Sequence, residues 1–340
     1  MSRAFAVALT LLAATVNAQP HLVFDHKIGT EWPPESNRWM SFVAVNSDGQ
    51  TVASDESVLL KSDALEFWTF PDGKFLRKMD GVPRGISPDF RYLVLENQIL
   101  DLRSGKRILA MTQKRGSLDV VAFSADSELI AVRSGPHLVK GSQVAILRTA
   151  DASVVSSFGT RFVCAMAFAP DGQTIATGHW NNVTLWDVRT GGRLALLMSP
   201  PRKVDPERYD RDGRYLGAVA MSQDGKLIAA GSDDGELQIW DVAARKLIHT
   251  RSLSWAGVTA AAFSPDSSLI ATGSYEDGTL RLVESATGKL LSEIQVSMFG
   301  VGALAFSPDG KYLVTPSNEG MLNNGKYSRG GTIRVFRVER

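Results

Sequence analysis

The amino-acid sequence predicts an all-β fold built from repeated units, and three observations support this prediction. First, a short turn typified by Ser-Pro-Asp-Gly recurs seven times, with 37 to 53 residues between successive aspartates. Second, a short apolar run lies on each side of every turn, as expected for two strands of a hairpin. Third, two further apolar runs follow within each copy, separated by polar or Gly-containing turns. The aspartates of the seven turns are Asp48, Asp89, Asp126, Asp171, Asp224, Asp266 and Asp309.

Each copy contains four predicted strands. In the sixth copy the runs "VTAAAF" and "LIATGS" flank the turn, and "LRLVES" and "KLLSEI" follow them. A repeat period of about 40 residues indicates a repeat architecture. Four short strands per period correspond to one blade of a β-propeller. The seven copies therefore predict a seven-bladed β-propeller of four-stranded antiparallel blades.

The recurring turn has a structural explanation. Proline suits the second position of a type I turn, and the glycine that follows the aspartate readily adopts a left-handed conformation. We therefore assign the turn to hairpin geometry and not to chemistry.

Two motifs in the third strand indicate a family resemblance. Trp186-Asp187 and Trp240-Asp241 end two of these strands, and Asp234 lies in the polar turn before the second one. Together with the "FSPD" turns, they resemble the WD-repeat family of β-propellers over roughly residues 20–340. The resemblance implies structural roles for these five residues, in an exported and divergent member of the family. It also implies one closed propeller domain over residues 19–340.

The sequence departs from the family pattern in several blades. Ser254 and Ser297 occupy a position where the family has histidine, so its Asp-His-Ser/Thr-Trp hydrogen-bond network should be incomplete. Blade two is the weakest copy, with Pro83 in its first predicted strand and Phe90 where the turn favours glycine. Trp68 can fill the tryptophan position of blade one. Other residues replace this tryptophan elsewhere: Leu100, Leu147, Val283 and Phe336.

The last copy supplies only three strands, so the ring needs a fourth from elsewhere. The segment 21–28, "HLVFDHKI", alternates between two faces and directly follows the N-terminal leader. We predict that it is the missing strand and closes the ring by pairing the N- and C-terminal strands. This pairing would also cover a sheet edge that could otherwise aggregate.

The N-terminus has the pattern of a secretory signal peptide. One basic residue, Arg3, precedes an uncharged run over residues 4–16, and Val16-Asn17-Ala18 fits a cleavage site. The alternative is an uncleaved anchor, for which the run is short, since a spanning helix needs about 20 residues. We predict cleavage after residue 18 and a periplasmic or secreted protein. In a eukaryotic host, Asn182 of "NVT" would be a glycosylation candidate.

Charge and composition exclude several function classes. The chain has 37 Lys and Arg and 36 Asp and Glu, so loss of Arg3 leaves 37 − 1 = 36 of each sign. Equal numbers of basic and acidic residues argue against the basic surface through which proteins bind nucleic acids and anionic membranes. We therefore expect no nucleic-acid partner, and no membrane insertion after cleavage of the signal peptide.

Few residues suggest catalysis or metal binding. The five histidines have no Cys or carboxylate pattern at metal spacing, although His137 and His179 could approach each other across adjacent blades. The single cysteine, Cys164, lies in an inner strand and is expected to be a small buried hydrophobe. We predict no catalytic residue, metal or cofactor, although a catalytic triad assembled from distant residues remains an alternative.

The longest insertion is residues 199–215, between blades four and five. Its "DRDG" resembles part of a calcium loop, but Arg208 occupies the first ligand position and Val219 the twelfth. The alternatives are a solvated loop with internally paired charges and a partner-binding loop.

The predicted rim loops, which precede first strands or connect second to third strands, contain aromatic and arginine side chains. Such residues are enriched at binding hot spots. The candidates for partner binding are Trp32, Trp39, Trp180, Arg208, Tyr209, Trp255, Phe299, Tyr327 and Arg329. The sequence thus favours a non-catalytic, monomeric scaffold that binds a protein or peptide at the rim. The alternative is an enzyme or small-ligand receptor that acts at the central channel.

Overall fold

The computed structural model of the protein describes most of the chain. The described residues are 19–29, 38–58, 61–95, 98–110, 118–134, 142–160, 162–201, 215–274, 277–297, 300–323 and 326–340. The predicted signal peptide, 1–18, and most of the insertion, 202–214, lie outside these ranges. In the described residues, no helix is long and apolar enough to cross a membrane.

The strands form seven antiparallel sheets, and the first three of them correspond to blades one to three. Blade one contains β2 (Arg38–Trp39), β3 (Val43–Val45), β4 (Thr51–Val58), β5 (Lys61–Thr69) and β6 (Phe75–Asp80). Blade two contains β7 (Pro83–Ile86), β8 (Tyr92–Leu95), β9 (Gln98–Asp101) and β10 (Arg107–Ala110). Blade three contains β11 (Leu118–Phe123), β12 (Leu129–Ser134), β13 (Ser142–Arg148) and β14 (Val154–Thr160).

The remaining four sheets continue the ring. Blade four contains β15 (Ala165–Phe168), β16 (Thr174–Gly178), β17 (Asn182–Asp187) and β18 (Arg193–Met198). Blade five contains β19 (Leu216–Met221), β20 (Leu227–Ser232), β21 (Glu236–Asp241) and β22 (Lys246–Ser252). Blade six contains β23 (Val258–Phe263), β24 (Leu269–Ser274), β25 (Thr279–Glu284) and β26 (Leu290–Gln295). Blade seven contains β27 (Ala305–Phe306), β28 (Tyr312–Asn323), β29 (Lys326–Glu339) and β1 (His21–Ile28). The predicted seven-bladed propeller is confirmed.

The core lies between the blades. Seven buried apolar clusters occur in the described chain, and each joins two successive blades. One of them packs Ile28 and Val314 of blade seven against Val52 and Trp68 of blade one. The ring is therefore closed by apolar packing as well as by strand pairing.

Strand β1 closes blade seven as predicted. It pairs antiparallel with β29, from His21 opposite Glu339 to Ile28 opposite Ile333, with a bulge after Phe24. Leu22 and Ile28 are buried at the two ends of the strand. Burial of two aliphatic side chains stabilises the closed ring by roughly 3–6 kcal/mol.

All seven recurring turns share one geometry. The N–H of the fourth residue donates to the carbonyl of the first, and the fourth residue has a positive φ. Four of these residues are glycines, and the other three are Phe90, Ser127 and Ser267, with φ between 54° and 64°. In every copy the aspartate carboxylate accepts the N–H two residues later. Local hydrogen bonds thus impose the same turn even where glycine is replaced.

Blade two contains the irregularities expected from its sequence. Pro83 is the first residue of β7, a position where its missing N–H is tolerated. Phe90 adopts a left-handed conformation at φ 54°, and its ring packs edge-on against Phe67 of blade one, with centroids 6.0 Å apart. This contact between blades accompanies the strained backbone.

Blade seven differs from the sequence-based expectation. The stretch from 317 to 331 reads as a rim loop in the sequence, but the structure continues β28 and β29 through it, to Asn323 opposite Lys326. Antiparallel pairing satisfies the backbone donors and acceptors of both strands, which favours a hairpin over an irregular loop. The hairpin therefore extends the rim of blade seven beyond its six-residue counterparts such as β24 and β25.

Candidate functional site

Two faces of the propeller differ in the connections they carry. We call the face with the recurring turns and the turns between third and fourth strands the turn face. We call the opposite face, with the connections between second and third strands and between blades, the rim face. Of the aromatic residues predicted to bind a partner, Trp39, Trp180, Trp255 and Tyr327 are described, and they lie on connections or strand ends of the rim face.

The inner strands of blades four, five and six consist almost entirely of apolar residues. β15, β19 and β23 consist of Ala, Gly, Val, Leu, Met and Phe except for Thr259. None of these three strands contains a titratable side chain that could act as an acid or base near neutral pH. Across the described part of the chain, no three His, Cys, Asp or Glu residues form a group that could hold a metal ion.

A cleft of about 430 Å³ lies between blades three and four, and it extends from Trp180 on the rim face to Arg193 at the turn-face end of β18. We call it the inter-blade cleft. Residues that line it come from the outer strand of blade three, from the connection to blade four and from blade four itself: Gly159, Thr160, Phe162, His179, Trp180, Asn182, Thr184, Trp186 and Arg193. Its volume lies within the range of small-ligand and peptide side-chain pockets.

Phe162 and Trp180 form one wall of the inter-blade cleft. Their rings stack with centroids 5.4 Å apart and planes 29° from parallel. Phe162 precedes β15 and has a φ of 55°, a conformation that a bulky residue rarely adopts. Strained backbone of this kind concentrates at functional sites. The sequence identified Trp180 but gave no signal for Phe162.

Trp186 forms a second aromatic surface in the cleft. Its ring stacks on Phe158 of blade three with centroids 4.2 Å apart and planes 12° from parallel. Its Nε1 donates to the Thr177 hydroxyl at 2.8 Å. That hydroxyl also lies 2.6 Å from Nε2 of His179, which is buried. The predicted structural tryptophan therefore also lines a cavity.

The Trp186-Thr177-His179 chain is part of the hydrogen-bond network that the family resemblance implies. Its histidine comes from the connection after β16, not from the position occupied by Ser254 in blade six. Ser254 instead donates to Asp277. In blade five, Trp240 is buried and its Nε1 has no hydrogen-bond partner among the described residues, because Ala230 replaces the threonine.

The aspartates of the repeat motif make local hydrogen bonds. Asp187 Oδ1 accepts from the N–H and the hydroxyl of Thr190, both at 2.7 Å, and these bonds lower the pKa of Asp187. Asp241 accepts from the N–H of Ala244 at 2.7 Å. Asp234 accepts from the hydroxyl of Ser232.

Trp180 and Trp255 are exposed aromatic residues of the rim face. Trp180 is 38% exposed and Trp255 is 64% exposed. Tyr215, which the sequence analysis did not select, is 40% exposed and forms an antiparallel bridge with Trp180. Its N–H donates to Asp233 Oδ1 at 3.0 Å, and Gly257 packs against the Asp233 backbone. Trp180, Tyr215 and Trp255 thus lie along blades four to six, and we call these three residues the aromatic rim.

The other predicted partner-binding residues are less completely described. Trp39 lies in β2, and Tyr327 and Arg329 lie in β29. Four candidates lie outside the described residues: Trp32, Arg208, Tyr209 and Phe299. His137 also lies outside them, so its predicted approach to His179 stays a prediction.

Cys164 lies directly before β15, not within the inner strand, and is partly buried. Its thiol contacts the carbonyl of Phe162 at 3.1 Å. Burial raises its pKa to about 11, and burial together with this neighbouring thiol raises the pKa of Tyr215 to about 12. Both side chains are therefore neutral at pH 7 and unsuited to nucleophilic chemistry.

Comparison with known proteins agrees with the architecture. The family model "WD domain, G-beta repeat" matches residues 153–187, 211–241, 245–284 and 288–337. These matches fall on blades that the structure builds from four antiparallel strands. The chain therefore contains WD repeats in the part that follows residue 152.

Similarity to individual WD-repeat proteins is moderate. The chain is 25% identical over 190 residues to a guanine nucleotide-binding protein subunit beta from Oryza sativa subsp. indica, covering 52% of this chain and 47% of that protein. It is 28% identical to WD repeat-containing protein SL1-17 of Schistosoma mansoni, covering 45% of this chain and 47% of that protein. It is 35% identical to WD repeat-containing protein VIP3 of Arabidopsis thaliana, covering 30% of this chain and 33% of that protein. The chain thus spans about half the length, or less, of the curated relatives it matches.

Proposed function

We propose that this WD-repeat protein is a non-catalytic scaffold that binds a protein or peptide partner through the aromatic rim. The observation that carries the proposal is the exposure of Trp180, Tyr215 and Trp255 along three successive blades. Large aromatic side chains supply much of the binding energy at protein interfaces. A rigid propeller can present them without an ordering cost in its backbone.

The inner strands of blades four to six favour a scaffold over the alternative of catalysis at the central channel. An enzyme needs convergent titratable groups, and the described side chains of β15, β19 and β23 supply none. Some similar proteins are named as subunits of a guanine nucleotide-binding protein, which fits a propeller that works by association.

We also propose that the protein is exported. The support is the sequence pattern of residues 1–18, which fits a secretory signal peptide. Mass spectrometry of the protein from its native host should give the mass of residues 19–340. Recovery of the intact N-terminus from the cytoplasm would contradict export without affecting the binding proposal.

The test of rim binding is a crosslinking pull-down from native extract with three versions of the full chain. The double variant Trp180→Ala/Trp255→Ala removes two exposed aromatic side chains of the rim. Leu196→Ala/Leu290→Ala, the matched control, removes two exposed apolar side chains from the outer strands β18 and β26. Circular dichroism should show that all three proteins are folded.

We expect a partner that the wild type and the control capture and the rim variant loses. A partner that all three proteins capture would move the binding surface away from the aromatic rim. If no partner is captured and a screen of small ligands raises the melting temperature, the scaffold proposal is wrong and the channel becomes the candidate site.

A further inference from the structure

We propose that the inter-blade cleft is a specificity pocket for an acidic peptide segment, with an aspartate or glutamate next to an apolar residue. The inference rests on the proposed function, since it assigns a chemical class to the partner. Trp180 belongs both to the aromatic rim and to the cleft, so a partner on the rim can reach the cleft directly.

The charge of the cleft comes from Arg193. Arg193 is the first residue of β18 and lies opposite Trp186 in the sheet, so the two side chains project from the same face. The guanidinium of Arg193 makes no hydrogen bond or ion pair with another described residue. An arginine without an acidic partner at the edge of a cleft favours a carboxylate from a ligand.

The apolar half of the cleft lies beside this charge. The stacked rings of Phe162 and Trp180 form one wall, and Trp186 forms another. An apolar side chain between these rings would gain burial, and aromatic surfaces bury large areas per residue. The polar lining residues Thr160 and Asn182 can satisfy part of a peptide backbone.

The outer strand of blade three favours an extended peptide over a free small molecule. β14 is the outermost strand of its sheet, so one of its edges is unpaired within the blade. Gly159 of β14 lines the cleft, and a Cβ atom added there would meet no atom within 4 Å. A peptide can therefore approach this backbone closely, as in recognition by strand addition.

The next residue of β14, Thr160, provides a blocking variant. Thr160 lines the cleft and projects to the same side of the strand as Phe158, which stacks on Trp186, so Thr160→Phe places a larger side chain in the cleft. Arg193→Glu reverses the charge of an exposed side chain without removing a hydrogen bond or an ion pair. Lys246→Glu makes the same charge change at the start of the outer strand of blade five and serves as a control.

The experiment probes the folded full chain with an array of octapeptides. Each has a glycine-serine frame in which the two central positions take every pair of residues. We expect the wild type to bind peptides with Asp or Glu next to Phe, Leu, Tyr or Trp. Arg193→Glu should lower the affinity for these peptides about tenfold, as expected for the loss of one charge-assisted contact. This variant should instead prefer peptides with Lys or Arg. Thr160→Phe should abolish both preferences, and Lys246→Glu should change neither.

Two results would overturn the proposal of a specificity pocket. One is that the wild type shows no preference for peptides with Asp or Glu, and the other is that Arg193→Glu retains that preference. The pull-down separates this failure from failure of the proposed function. A partner lost by Trp180→Ala/Trp255→Ala but kept by Arg193→Glu and Thr160→Phe would uphold rim binding and reject the cleft. If the array shows a preference for acidic peptides but the pull-down captures no partner at the rim, the proposal of rim binding is rejected and the proposal for the cleft stands.

Discussion

The turn face and the rim face are built from the same repeats, yet they differ in how their connections are held. On the turn face, each recurring turn satisfies its own backbone through an aspartate and a residue with positive φ. On the rim face, neighbouring blades use different contacts. Blade four ties Trp186 to Thr177 and His179, whereas blade six ties Ser254 to Asp277.

This difference shows where the chain can vary without losing the fold. The turn face fixes each hairpin mainly through contacts only a few residues apart in sequence, and it adds hydrogen bonds between the turns of neighbouring blades, such as Ser47 N–H to the Pro88 carbonyl. The rim connections depend on their neighbours and carry the exposed aromatic residues. A rigid scaffold with variable loops on one side is a usual arrangement for binding proteins.

The largest expected effect tests the turn face. Asp224 accepts hydrogen bonds from the Ser222 hydroxyl at 2.7 Å and from the N–H of Lys226 at 3.1 Å. Asp224→Ala leaves both donors without this acceptor, and we expect a loss of about 1–2 kcal/mol in the free energy of unfolding, since each bond contributes about 1 kcal/mol. Urea denaturation would measure it.

Lys226→Ala is the control for this prediction. The Lys226 ammonium also lies 3.2 Å from the Asp224 carboxylate, but its side chain is 77% exposed. An ion pair this exposed should contribute at most about 0.5 kcal/mol. If both variants lost the same stability, the ion pair and not the hydrogen-bonded turn would hold this part of the turn face.

The sequence was sufficient to predict the ring and its closure. The regular spacing of the turn aspartates, such as Asp48 and Asp89, predicted the number of blades. The alternation of side chains in residues 21–28 predicted the strand that closes the ring. Those patterns predict strands and turns because their causes lie within a few residues. The continuation of the β28–β29 hairpin was missed, since its Gly- and Asn-rich composition is typical of loops.

The inter-blade cleft could not be predicted from the sequence. Phe162, Trp180 and Arg193 come from a connection between blades, a connection within blade four and an outer strand. Their juxtaposition depends on how blade three packs against blade four, which no local pattern encodes. Trp180 was identified because it is an aromatic residue in a predicted rim loop, whereas Arg193 reads as an ordinary exposed residue of a strand.

A smaller effect tests the rim face through its pH dependence. Burial raises the pKa of Asp277, but hydrogen bonds from Ser254, Arg281 and the N–H of Thr279 outweigh it and hold the pKa at about 2. Because this value lies below the ordinary one, Asp277 stabilises the folded state above about pH 4 and loses that contribution as the pH falls towards 2.

We therefore expect Asp277→Asn to cost about 1 kcal/mol at pH 6, with the difference from wild type shrinking to near zero at pH 2. Denaturant unfolding at several pH values would show this convergence. Glu293→Gln removes a more exposed partner of the same Arg281 guanidinium and should cost less at pH 6. A cost for Asp277→Asn that stays constant from pH 6 to 2 would exclude the charge as its source.

The smallest effect is a gain in stability on the turn face. Turns between third and fourth strands have glycine at φ 66–71° in four blades, at Gly73, Gly105, Gly191 and Gly288, whereas blade five has Arg245 at φ 53°. The left-handed conformation costs a non-glycine residue roughly 1–2 kcal/mol, and glycine adds about 0.5–1 kcal/mol of unfolded-state entropy. We expect Arg245→Gly to stabilise the protein by about 0.5 kcal/mol, the small difference between these two costs. Arg245→Ala keeps the backbone strain and should give no gain, so an equal gain in urea denaturation would attribute the effect to the arginine side chain and not to turn geometry.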